Sequence, residues 1–229
     1  MRSYIKNIIT IIMLGLIVII TPYLIYEHST FENINSDDTG YVTKEIYNHY
    51  NSDKTIVLIT GIHPREPLAI NPEIESLKQF ALTNNVKMIN YNVTVTKDKE
   101  DFYKGRYNGE HLVANYVLPD IYKTKADVVI ISHSHEEGYG EGFYVATPAM
   151  DNTSVSFGEK IEKSDIDFNY FRTNTNESYK STSIELVSKP LADAGYPTLV
   201  YEIPENITEQ DSTERTKDLF GEVYKIINH

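Results

Sequence analysis

Residues 54–66 read KTIVLITGIHPRE, an apolar run that passes directly into a turn containing a histidine and a glutamate. The run 54–60 is short and rich in β-branched residues, which is typical of a buried strand. His63 and Glu66 follow it at a spacing of three residues. Because ligands in α/β sheets gather at the carboxyl ends of the strands, this turn is a candidate functional site.

Strand and helix signals alternate along the rest of the chain, which predicts an α/β domain. The central sheet is expected to be mixed and mostly parallel, with helices on both faces. Further strands are predicted at 86–95, 126–132, 142–147, 167–173 and 197–203. Helices are predicted from Asn71, which is expected at the N-cap, and at 110–117, 183–194 and 212–227, with Pro190 kinking or dividing the third.

The first residues differ from the remainder, because residues 7–26 carry no charge. About 20 apolar residues in a helix are enough to span a bilayer. Arg2 and Lys6 precede the segment and acidic residues follow it, so the N-terminus is expected in the cytoplasm and the domain outside. The predicted organisation is a single-pass transmembrane anchor at 1–26, a linker at 27–52 and a catalytic domain at 53–229. A cleaved signal peptide is the alternative, but bulky residues follow the apolar run where a small-residue cleavage site would lie.

Composition narrows the choice of partner and of metal ligand. The net charge of -12 argues against a nucleic-acid partner, which requires a basic face. The chain has no cysteine, so a metal site must use histidine, glutamate or aspartate.

A catalytic zinc ion takes three protein ligands and keeps one position open for water. His63 and Glu66 supply two ligands, and the sequence SHSH at 132–135 supplies candidates for the third. His133 is favoured because it directly follows a predicted strand. His135 remains a competitor and is otherwise expected to line the substrate site.

Glu202 lies within the apolar run 197–203, where a carboxylate is costly to bury unless it is paired or functional. It is the expected general base, which takes a proton from zinc-bound water as that water attacks a carbonyl. Glu205 is the alternative base.

The turn GIHPREP at 61–67 resembles the H-x-x-E metal motif of the zinc carboxypeptidases (M14), especially the succinylglutamate desuccinylase and aspartoacylase branch. The histidine at 133 and the strand carrying Glu202 resemble the third ligand and the catalytic glutamate of that family. The resemblance implies a zinc carboxypeptidase/phosphorylase-like fold and one Zn2+ ion. Pro64 stands where the family often has glycine. The family's Asn-Arg motif is not plain, and its nearest echo, KGRYNG at 104–109, offers Arg106 for catalysis and substrate binding and Asn108 for substrate binding.

The predicted function is therefore an extracytoplasmic zinc hydrolase that cleaves an amide bond in a peptide or cell-wall peptide. An N-acyl amino acid deacylase is the alternative enzyme. Two further hypotheses are a non-catalytic surface binding module that keeps the fold and an unrelated amidase in which Glu66 is not a ligand. Substrate identity and oligomeric state stay open.

Overall fold

A mixed sheet of eight strands forms the centre of this computed structural model, which describes residues 2–27, 29–172 and 181–229. The strands are β1 (Ser29–Ser36), β2 (Gly40–Tyr47), β3 (Thr55–Thr60), β4 (Lys87–Val95), β5 (Val128–His135), β6 (Tyr144–Ala146), β7 (Asn169–Phe171) and β8 (Thr198–Pro204). Their spatial order is β1-β2-β4-β3-β5-β8-β6-β7. The four central strands β4, β3, β5 and β8 run parallel, which places their carboxyl ends at one edge of the sheet.

Helices cover both faces of the sheet, as the sequence predicts. The helices are α1 (Arg2–Glu27), α2 (Asn71–Thr83), α3 (Phe102–Leu112), α4 (Leu118–Ile121), α5 (Asn152–Glu162), α6 (Lys189–Asp193) and α7 (Glu209–Asn228). One core lies between the sheet and α2, α5 and α7, and a second lies between the sheet and α3, α4 and α6. π-helical turns lead into α4 and into α6.

The alternation of side chains along β5 decides which core receives the site. Val128 and Ile130 pack into the first core, whereas Val129 and Ile131 pack into the second. Successive side chains of a strand point to opposite faces. His133 therefore continues the row that faces α3, α4 and α6.

The N-terminal part of the chain departs from two expectations. The predicted linker at 27–52 is corrected, because Ser29–Ser36 and Gly40–Tyr47 pair as antiparallel strands at one edge of the sheet. Among the described residues, no helix is long and apolar enough to cross a membrane, so the structure does not support the predicted transmembrane helix.

Helix ends also differ from the sequence prediction. The N-cap of α2 is Ile70 and not Asn71, which lies inside the helix. The helix predicted to begin at 110 begins at Phe102, where the side chain of Asp101 accepts hydrogen bonds from two backbone N–H groups of the first turn. The predicted strand 167–173 is shorter, and Thr173 lies outside the described residues.

Candidate metal centre

Gly61 turns the chain sharply after β3 and directs the loop that carries His63. Its φ is +76°, and a Cβ atom there would lie 2.1 Å from the carbonyl oxygen of Val93. Glycine is the residue that tolerates both this positive φ and such a close backbone approach. His63 thus follows a tightly constrained turn, and 2% of its surface is exposed.

The carboxylate of Glu66 joins two buried imidazoles. Its Oε1 atom lies 2.8 Å from Nδ1 of His63, and its Oε2 atom lies 3.1 Å from Nδ1 of His133. The centroids of the two rings are 4.3 Å apart. One potential ligand atom from each of the three residues lies within 4.8 Å of the others. These donors surround one small volume, and two histidines with one glutamate are a known ligand set of catalytic zinc.

Two further donors hold the Glu66 carboxylate in place. The backbone N–H of Ser134 donates to Oε2 at 3.2 Å, and the guanidinium of Arg106 donates to Oε1 at 3.3 Å. Burial would raise the pKa of Glu66, but the bonds to His133 and His63 hold that pKa well below its usual range. The carboxylate is therefore ionised, which is the form that binds a metal.

His135 lies on the same face of β5 as His133 but is turned to the loop that follows the strand. Its Nδ1 is 3.2 Å from the carbonyl oxygen of Glu136, and its Nε2 is 2.9 Å from that of Gly142. The group of potential metal ligands in the described residues contains His133 and not His135. The predicted role of His135 in substrate binding stays a prediction.

Glu202 lies beside the ligand group because it is the register partner of His133 in the parallel pair of β5 and β8. Tyr144 of β6 is its partner on the other side. Burial raises the pKa of Glu202 to about 7, while the charge on His133 opposes that shift and the charge on Glu66 adds to it. A carboxyl whose pKa is close to neutral is well suited to proton transfer.

Glu205, the alternative base, is bound to the end of β5. Its Oε1 accepts a hydrogen bond from the hydroxyl of Ser134 at 2.9 Å. Its backbone N–H donates to the carbonyl oxygen of His135 at 3.0 Å. These contacts fasten the loop after β8 to β5.

Glu110 of α3 is a site residue that the sequence analysis missed. Its Oε1 lies 3.3 Å from Nε2 of His63, and 1% of the residue is exposed. Burial would lower the pKa of His63, but the hydrogen bonds to Glu110 and Glu66 raise it. A carboxylate at the far nitrogen of a metal-binding histidine fixes the ring and raises its basicity. The sequence feature that could have indicated Glu110 is its position four residues after Arg106, because this spacing places both side chains on one helix face.

Arg106 and Asn108 occupy different surroundings although they are close in sequence. Arg106 reaches the ligand group through Glu66, and its guanidinium also lies over the ring of Phe102, 5.2 Å from the centroid. The side chain of Asn108 donates to the carbonyl oxygen of Lys97 at 2.9 Å and so braces the loop before α3. Their predicted roles toward the substrate stay predictions.

Solved structures resemble this chain at low sequence identity. A metallo-carboxypeptidase from Burkholderia cenocepacia aligns with a TM-score of 0.60 at 12% identity, over 88% of this chain and 65% of that protein. This chain has the metallocarboxypeptidase fold. An aspartoacylase family protein from Mesorhizobium loti aligns with a TM-score of 0.52 at 10% identity, over 84% of this chain and 67% of that one. A succinylglutamate desuccinylase/aspartoacylase from Rhodobacter sphaeroides aligns with a TM-score of 0.51 at 11% identity, over 87% of this chain and 65% of that one.

The resemblance predicted from the sequence motifs is therefore confirmed at the level of the fold. No protein-family model matches the chain, and no curated protein matches it by sequence. The chain spans just under two thirds of the Burkholderia protein.

Proposed function

We propose that this chain is a zinc-dependent hydrolase that cleaves an amide bond. The observation that carries the proposal is the approach of two buried imidazole Nδ1 atoms, from His63 and His133, to the single carboxylate of Glu66. The residues present fit zinc by number, by chemical type and by burial.

The charges around this group also favour a divalent cation. Glu66, Glu110 and Glu202 are carboxyl groups at the site, and Arg106 is the guanidinium that interacts with them. In the protonation state that a metal would bind, with all three carboxyl groups ionised and both imidazoles neutral, Arg106 offsets one of the three negative charges and two remain. Uncompensated buried charge is costly, and a dication at His63, Glu66 and His133 would offset it.

The chemistry follows from the positions of the remaining residues. When bound, zinc polarises a substrate carbonyl and lowers the pKa of water towards about 7. Glu202 accepts the proton of the attacking water and returns it to the departing nitrogen. Arg106 offers N–H donors to the carbonyl oxygen or to a carboxylate of the substrate, for which its planar fork is suited.

Peptides are the favoured substrate class, and N-acyl amino acids are the second. The fold comparison supports both, since one similar structure is a metallo-carboxypeptidase and another is a succinylglutamate desuccinylase/aspartoacylase. A free carboxylate next to the scissile amide is common to both classes, and Arg106 is the group that would recognise it.

Metal analysis of the purified full-length chain tests the proposal first. Wild-type protein should retain about one zinc per chain, His63→Ala should retain none, and His111→Ala, which changes a histidine outside the ligand group, should match wild type. A wild-type chain that takes up no zinc would sink the proposal. Hydrolysis of a peptide panel and of N-acyl amino acids by the zinc-loaded chain then separates the two substrate classes.

The cellular location stays a prediction from the sequence alone. It rests on the uncharged segment 7–26 with Arg2 and Lys6 before it and acidic residues after it. A phosphatase reporter that is active only outside the cytoplasm, fused after His229, should be active. An inactive reporter would place the domain inside.

A further inference from the structure

A second carboxyl group, Glu73, lies behind the metal centre on the opposite face of the sheet. The residue is fully buried, and neither carboxyl oxygen has a hydrogen-bond partner. The hydroxyl of Ser132 is equally buried and is also without a bonded partner. An isolated buried carboxylate is strongly unfavourable, so this group needs a physical explanation.

The place of Glu73 in the chain links the two halves of the metal centre. It lies in the first turn of α2, which follows the loop of His63 and Glu66 after one short 3-10 turn, Pro67–Ala69. Across the core it interacts with Ser132, the residue before His133. The carboxyl group thus lies between the helix that continues the metal loop and the strand that carries the third ligand.

The same carboxyl group lies close to the strand of the proposed base. Tyr201 precedes Glu202 and is the register partner of Ser132. Burial raises the pKa of Tyr201, and Glu73 is close enough that its ionised form would raise that pKa further. Glu73 therefore lies on one face of the sheet, and His133 and Glu202 lie on the opposite face at the same level of β5 and β8.

We propose that Glu73 is a positioning residue that acts as an uncharged acid, holding α2 against β5 and β8 and so fixing His133 relative to the loop of Glu66. This inference rests on the proposed function, because the position that it fixes is that of a metal ligand. A neutral carboxyl is both a donor and an acceptor of hydrogen bonds, whereas an ionised one only accepts.

Burial supports this state of the group. It raises the pKa of Glu73 to about 8, although the hydroxyl of Ser132 opposes the shift. Tyr201 of β8 is a titratable group that interacts with Glu73, and Arg215 and Asp218 of α7 interact with that tyrosine in turn. The folded state retains a proton that the unfolded chain releases near the ordinary pKa of 4.5. Its stabilising effect is fully present below that pH and is lost as the pH rises towards 8.

Unfolding of the metal-free full chain tests the protonation state. Between pH 5 and 8 the folding equilibrium constant of wild type should fall, relative to Glu73→Gln, by about tenfold per pH unit, because one proton separates the two states. Glu75→Gln changes an exposed carboxylate two residues along α2 and should follow wild type. If the folding equilibrium constants of wild type and Glu73→Gln change with pH in the same way, the proposal is wrong.

Zinc affinity tests the positioning role, since simple structural support would not depend on pH. Wild type and Glu73→Gln should bind zinc equally at pH 6.5, whereas at pH 9 wild type should bind about tenfold more weakly than the variant. Glu75→Gln should again match wild type. If wild type binds zinc and all three proteins keep the same ratio of affinities at both pH values, the positioning role is wrong and the proposed function stands. If wild type binds no zinc, both fail together.

Discussion

His63 has a carboxylate at each ring nitrogen, and this double contact decides how it can act. Glu66 lies at Nδ1 and Glu110 lies at Nε2. When Nδ1 gives its lone pair to a metal, the ring proton must sit on Nε2, where Glu110 accepts it. Glu110 of α3 therefore supports the tautomer that metal binding needs, whereas Glu66 competes for the ring proton until a metal occupies Nδ1.

Glu110→Gln should weaken zinc binding by about 10–100-fold, because an amide is a poorer acceptor for the Nε2–H group and can also present a donor to it. Competitive titration against a chromophoric chelator measures the change. Glu100→Gln, an exposed neighbour of α3, is the matched control and should bind zinc as wild type does. Equal affinities for both variants would remove Glu110 from the metal centre.

Glu202→Gln should keep zinc and lose turnover by about 10²–10⁴-fold, because the amide cannot accept a proton. Metal content and kcat, measured on the same preparation, separate the two effects. A variant that keeps full kcat would show that another group is the base. Glu205→Gln, which alters the carboxylate bonded to Ser134, should stay active.

The pH profile gives an independent check on Glu202. The base must be ionised, so kcat/KM should rise with pH through the pKa of Glu202. Burial sets that pKa at about 7 without metal, and a bound dication favours the carboxylate and moves it down towards the ordinary 4.5. The rise of kcat/KM with pH should therefore have its midpoint between pH 4.5 and about 7. The same rise should be seen in Glu205→Gln. Loss of the rise in that variant would assign it to Glu205.

Residue types at strand ends were predictable, whereas contacts made by helix packing were not. His63 and Glu66 follow β3 and His133 lies near the end of β5, and the ends of these neighbouring parallel strands meet on one side of the sheet. The contact of Glu110 depends on where α3 lies, which no local pattern specifies. β5 also extends through His135, so spacing alone could not separate the two histidines.

At the scale of elements, two glycines let α3 approach the metal loop. A Cβ atom on Gly109 would lie 1.8 Å from the carbonyl oxygen of Ile62, next to His63, and one on Gly105 would lie 3.0 Å from Pro64. The sequence KGRYNG thus serves close packing as well as supplying Arg106. Without those glycines, Glu110 could not reach His63.

Gly109→Ala should destabilise the fold by about 1–3 kcal/mol or more, because the clash is with backbone and cannot be relieved by a side-chain movement. Zinc affinity should fall as well, since Ile62 precedes the first ligand. Gly221→Ala in α7 is the control, because a Cβ there meets nothing within 4 Å and should stabilise the helix by about 0.5–1 kcal/mol. Urea unfolding measures both. If Gly109→Ala leaves the free energy of unfolding unchanged, α3 packs less closely on this loop than the structure indicates.

Elements with a strong apolar pattern were predictable, and those with a weak one were not. β3 is buried at every position, whereas β1 has no fully buried residue and therefore looks like a linker in the sequence. The helix Asn152–Glu162 was missed although Asp151 caps it by accepting from the N–H of Ser154. Its few buried apolar residues give a short stripe that a local reading does not separate from a loop.

At the scale of the whole molecule, the order of the strands assembles the site. β3 lies beside β5, and β5 lies beside β8, so residues far apart in sequence meet at one edge. The alternation of helices and strands predicts a parallel core, but it does not state which strands are neighbours. The order of the strands results from the packing of helices on both faces of the sheet, and this packing involves residues from the whole chain.

Zinc should therefore stabilise the entire domain, because its ligands come from the loop after β3 and from β5. A ligand at about 100 times its Kd adds about 2.7 kcal/mol to the free energy of unfolding. For a chain of this size that corresponds to a rise in Tm of roughly 5–10 °C. Thermal unfolding of the full chain with zinc and with a chelator measures it. Glu202→Gln should show the same rise, since the base is not a ligand, and His63→Ala should show none. A rise that survives in His63→Ala would place the stabilising zinc at another site, and the trio of His63, Glu66 and His133 would then have to be abandoned as the metal centre.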